Sequence, residues 1–206
     1  MTLESSKTLG GVGALLIVVS VLGFLGSIYS GLLSLIGIIL VLVALKGLSD
    51  HYNEGAIFNN ALYGVVLTIV GFVVFAAVAV ALVFMVIAGG FNWEDWSSFG
   101  QYFTDINALM NVIGTIIIAL VVLFVFLVIS AIYFRKSLSA LSARSGVNIF
   151  ETAGLLWLIG AVLTVIIVGF LLIWVAWILI TVGFFSIKTT SPSPIAEAAA
   201  QPTPAS

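Results

Sequence analysis

Five stretches of this chain carry no charged residue at all, and they limit every other reading. Residues 9–26, 32–45, 61–88, 109–134 and 153–187 contain no Asp, Glu, Lys, Arg or His. A helix crossing about 30 Å of hydrocarbon at about 1.5 Å per residue needs about 20 apolar residues. The pattern predicts an all-α, polytopic transmembrane helix bundle of five spans. The first two are joined by Ser27-Ile28-Tyr29-Ser30-Gly31, a turn composition that makes them a tight hairpin. The first is read as a retained anchor, because no small-residue cleavage pattern follows it.

The last run is the awkward one. It is too long for one upright helix. A strongly tilted helix is the preferred expectation, since a fold at Val168-Gly169-Phe170 offers no polar group to satisfy a turn's backbone. The alternative is two short helices and six spans.

The rest of the composition excludes function classes. With 7% charged residues against about 25% in a soluble domain, a water-exposed surface cannot be covered. Six Lys+Arg against eight Asp+Glu provide no field for nucleic acid. No cysteine and one histidine, His51, leave no disulfide, thiolate site or two-His zinc motif. No nucleophile elbow, P-loop or dinucleotide fingerprint occurs. The chain is therefore expected not to be an enzyme, with no catalytic, cofactor-binding or metal residues.

Basic residues set the orientation. With five spans, Lys7, Lys46, Arg135, Lys136 and Arg144 share one side and Lys188 alone takes the other, which predicts a cytoplasmic N-terminus in the plasma membrane. With six spans Lys188 joins them. The tail 189–206, with four prolines among Ser, Thr and Ala, is expected to be disordered beyond a single transmembrane domain, 1–188.

Two inner loops echo each other. Lys46-Gly47-Leu48-Ser49, Gly55 and Ile57-Phe58-Asn59-Asn60-Ala61 are answered by Lys136-Ser137-Leu138-Ser139, Gly146 and Ile149-Phe150-Glu151-Thr152-Ala153. The second copy needs two extra residues. This suggests a tandem repeat over 32–88 and 109–187. Its plain explanation is helix caps and interfacial anchors. Its functional one is a cytoplasmic docking or lipid face built from Lys46, Ile57, Phe58, Arg135, Lys136, Arg144, Ile149 and Phe150.

Between spans three and four, Trp93, Trp96, Phe99 and Phe103 recur at helical intervals, with Glu94, Asp95 and Asp105 off the stripe. That predicts an amphipathic helix lying in the outer interface. Inside the spans the only polar groups of note are Ser20, Ser34, Thr68, Thr115, Ser130, Thr164 and Thr181. Proton relays and transporters ordinarily place ionisable groups there.

Thr8-Leu9-Gly10-Gly11-Val12-Gly13-Ala14, Leu35-Ile36-Gly37, Ala44-Leu45-Lys46-Gly47-Leu48-Ser49-Asp50, Ile57-Phe58-Asn59-Asn60-Ala61-Leu62 and Gly183-Phe184-Phe185-Ser186-Ile187-Lys188 together resemble an archaeal integral membrane family, domain of unknown function 996. The resemblance covers nearly all of the chain except the tail. It implies an archaeal plasma-membrane protein without an assigned activity and supplies no catalytic residues. The expectation is a structural, lipid-associated or accessory protein, whose partners are membrane lipids, other membrane subunits or a second copy. A passive channel or small-solute transporter lined by the Ser/Thr set is the alternative.

Overall fold

The computed structural model describes residues 2–23, 29–88, 100, 104–166 and 168–188. Among them are six long helices and no strand. They are α1 (Leu3–Gly23), α2 (Tyr29–His51), α3 (Gly55–Ala88), α4 (Ile106–Ser145), α5 (Ile149–Leu163) and α6 (Val168–Ser186). All six, with α5 counted through Ile166, are long and apolar enough to cross a membrane. The predicted outer helix at Trp93, Trp96, Phe99 and Phe103 and the tail 189–206 lie outside the described residues.

The helix ends follow local chemistry. Thr2 Oγ1 accepts from the Ser5 amide, and Asp105 caps α4 by accepting from the Asn107 amide at 2.9 Å. At the other end of α4, Gly146 takes the left-handed conformation, φ 71°, and its N–H donates to Ser142 O. The helix outlasts the apolar run by about three turns. Phe134, Leu138 and Leu141 form a buried stripe that keeps 135–145 folded against the bundle.

The run 153–187 corrects the one-helix expectation: it is two helices. α5 tightens into a 3-10 turn over Thr164–Ile166, and α6 starts at Val168, so the break falls a turn before Val168-Gly169-Phe170. Thr164 supplies the polar group thought to be missing, because its hydroxyl donates to Ala161 O at 2.7 Å. Two glycines then let the returning helix come close. A Cβ on Gly169 would run into Gly160 O.

The helices pair as hairpins, α1 with α2, α3 with α4 and α5 with α6. Each also touches its chain neighbour, and α6 packs on α1, so the order closes on itself. One core draws on all six helices, with Ala14, Leu48, Ile57, Leu141, Phe150 and Phe184 fully buried. Phe134 stacks on Trp157 at 5.0 Å between centroids, Trp157 meets Trp177 edge-on at 4.9 Å, and Phe150 meets Phe184 at 5.4 Å. Each pair adds about 0.5–1.5 kcal/mol beyond area burial.

Outside this core the surface is apolar. Phe84, Ile118, Phe170 and Val165 are 62–71% exposed. Hydrocarbon covers such a surface without the cost that water imposes. At about 1.5 Å per residue, α3 and α4 rise about 51 and 60 Å, against about 28 Å for α6. The far end of the α3–α4 hairpin therefore reaches past the other helices.

Candidate functional site

The six cations all gather at one end of the bundle. Because the last run makes two crossings, α6 returns beside the start of α1, where Lys7 Nζ donates to Ile187 O at 2.7 Å. Lys188 follows directly. The α2–α3 and α4–α5 junctions lie at the same end, joined by Ser137 Oγ donating to Ile57 O at 2.5 Å and by Arg144 to Glu54.

The junctions repeat one geometry. In the first, Ser49 Oγ donates to Glu54 O at 2.9 Å and Asn53 is left-handed, φ 50°. In the second, Ser142 Oγ donates to Val147 O at 3.1 Å and Gly146 is left-handed, φ 71°. Leu45, Leu48 and Ile57 of the first are buried as Leu138, Leu141 and Phe150 are in the second. These equivalents keep one constant shift, from Asn53 to Gly146, with no insertion. The shared letters Lys-x-Leu-Ser lie in another register, so matching letters and matching geometry differ.

The predicted docking face divides. Ile57 and Phe150 are 0% exposed and belong to the core, which corrects their assignment to a docking surface. In both helices this position points inward, into the core that also holds Phe184. Phe58 and Ile149 are half-buried. Lys46 pairs with Asp50 at 2.7 Å and lies 5.5 Å from the centre of the Phe58 ring. Arg144 binds Glu54 Oε2 through Nη2 at 2.7 Å and Nε at 3.2 Å. That contact holds the Glu54 carboxyl below its ordinary range. Burial pushes the Tyr52 phenol up. Arg135 and Lys136 are exposed and meet no carboxylate among the described residues.

Sequence reasoning missed Glu54, Tyr63 and Tyr133. Nothing local pairs Glu54 with Arg144 across two junctions. The tyrosines carry a signal, since each stands about one turn inside a polar loop, where amphipathic aromatics settle.

Deeper in the bundle the hydroxyls serve the helices. Ser20, Thr115, Thr164 and Thr181 each donate to a carbonyl of their own helix three or four residues back. Ser130 Oγ donates across to Gly64 O at 2.7 Å and lies 2.7 Å from Thr68 Oγ1. Trp174 Nε1 donates to Val18 O, fastening α6 to α1. Among the described residues no cluster of three acidic or imidazole side chains gathers.

The class is thus an all-α bundle whose six helices have the length and composition of membrane spans. Within that class the chain belongs to the family described as Protein of unknown function (DUF996), which matches residues 33–178. It is similar to Uncharacterized protein MJ1644 of the archaeon Methanocaldococcus jannaschii, 31% identical over 187 residues, 91% of this chain and 94% of that one. No solved structure matches.

Proposed function

We propose that this protein is a non-catalytic, multi-pass component of the plasma membrane, with both ends of its bundle chain in the cytoplasm. It associates with lipids or with other membrane subunits. One observation carries the reading: six crossings bring Lys7, Lys46, Arg135, Lys136, Arg144 and Lys188 to the same end. Basic residues are retained on the cytoplasmic side. The common junction geometry favours a tandem origin for the α2–α3 and α4–α5 junctions, although the unit 109–187 carries one helix more than 32–88. A channel lined by hydroxyls has less support, because six of the seven already donate to helix carbonyls.

Reporter fusions after residue 188 and before residue 2, read on both sides of the membrane, test the topology. The expected result is a cytoplasmic signal from both. Opposite sides for the two reporters would overturn the six-crossing orientation. Native purification in mild detergent tests the association, and a chain that always runs alone without lipid or partner would overturn it.

A further inference from the structure

The cations at the basic end are not equivalent. Lys46 and Arg144 are matched by Asp50 and Glu54, and Lys7 rests on the last carbonyl of the bundle. Lys136 has no carboxylate among the described residues. Its ammonium stands 5.5 Å from the centre of the Tyr133 ring, one turn earlier on α4. Tyr133 in turn meets Tyr63 of α3 edge-on, with 5.7 Å between centroids. Tyr63 is 55% exposed, beside exposed Leu62 and Val66, and Ile129 and Ile132 are exposed on α4.

The direction of the side chain matters. A lysine at the end of an apolar helix ordinarily reaches outward to water. Lys46 does so, stretching forward one turn to Asp50. Lys136 leans the opposite way, over a tyrosine on the apolar side. A ring face is a weak partner for a full charge, and an ammonium has three hydrogens to donate. The Tyr133 ring beside the ammonium and the Tyr63 ring beside Tyr133 each carry a phenol, a further donor.

We propose that Lys136, Tyr133 and Tyr63 form a site for the phosphate of an anionic phospholipid. The ammonium and the phenol O–H groups donate to the phosphate oxygens, while the acyl chains follow Val66, Ile129 and Ile132. Arg135 faces elsewhere, its stem packed against the α5 backbone at Gly154. This site rests on the reading of the chain as a membrane protein.

The test uses the full chain in mild detergent containing equal phosphatidylglycerol and phosphatidylcholine, with bound lipid counted by native mass spectrometry. The wild type should retain phosphatidylglycerol preferentially. Lys136→Gln should lower that preference about fivefold, the factor for roughly 1 kcal/mol per basic residue at an anionic surface. The double variant Tyr63→Phe/Tyr133→Phe should lower it too, and Lys7→Gln, at a lysine held by the Ile187 carbonyl, should leave it unchanged. Millimolar inorganic phosphate should not displace the lipid. Equal preference in wild type and Lys136→Gln, an equal fall in Lys7→Gln, or displacement by free phosphate each overturns the site. Alkaline carbonate washing separates the two failures. A protein that washes off membranes sinks the membrane reading, whereas one that stays and binds lipid without preference sinks only the phosphate site.

Discussion

Asn53 and Gly146 occupy the same place in two helix junctions and share the left-handed backbone, at φ 50° and 71°. The first junction fills that place with a residue that has a side chain, the second with one that has none. Left-handed backbone costs an ordinary L-residue about 1–2 kcal/mol, and asparagine less. Nothing lies within 4 Å of where a Cβ on Gly146 would stand, so the backbone alone sets the cost there. Gly146→Ala is expected to lower stability by about 1–2 kcal/mol. Gly146→Asn should lose less than the alanine variant. Thermal unfolding in mild detergent would check both, and an alanine variant as stable as the wild type would contradict the shared geometry.

The turn between α5 and α6 gives a sharper contrast. A Cβ on Gly169 would run into Gly160 O, Thr164 N and Leu163 C. All three are backbone atoms of the facing helix end and cannot rotate aside. Gly169→Ala should therefore cost about 3 kcal/mol or more, beyond ordinary overpacking. Gly114, inside α4, has nothing within 4 Å. There the same change should stabilise by roughly 0.5–1 kcal/mol through helix propensity alone. Expression level and melting midpoint of the two variants should move in opposite directions. Parallel shifts would argue against the close α5–α6 turn.

These residues also show what a sequence can display. The apolar spans were legible because hydropathy is a local sum, and no charge interrupts 61–88 or 109–134. The break at Thr164 was not, because apolar residues flank it on both sides and its one hydroxyl bonds a carbonyl of its own helix. The inward placement of Ile57 and Phe150 depends on helix rotation, and helices this uniformly apolar carry almost no periodic signal of their buried face. Arg144 and Glu54 meet only through tertiary packing. Of the candidate face, then, the cations were readable from the sequence and their partners were not.

The hydroxyl contact between α3 and α4 separates structure from permeation. Ser130 is 2% exposed and donates to Gly64 O, with Thr68 Oγ1 at 2.7 Å. Interhelical hydrogen bonds of this kind average about 0.6 kcal/mol. Ser130→Ala should lower stability by about that amount. Thr68→Val, whose hydroxyl also reaches Gly64 O at 3.0 Å, should cost no more. Neither should alter solute flux across liposomes containing the purified protein. A flux that changes with either substitution would favour the channel reading.

Acid should weaken the link between the two junctions. Arg144 holds the Glu54 carboxyl below its ordinary range, first by its hydrogen bond and then by its charge. The folded protein therefore favours the carboxylate more than the unfolded chain does. Stability from this source is complete above the unfolded value, about 4.3 for glutamate. It fades as pH falls through the lower folded value, because both states are then protonated. Glu54→Gln removes the carboxylate while keeping the side chain's shape. The wild type should melt higher than Glu54→Gln at neutral pH, and the gap should close as the buffer is taken below the glutamate range. Other carboxylates titrate in both proteins and cancel in the comparison. Added salt should narrow the neutral-pH gap as well, since the pair is partly exposed, with 52% and 28% of the two side chains accessible. A gap that holds constant from neutral pH into acid would mean that Glu54 acts by packing rather than through its charge.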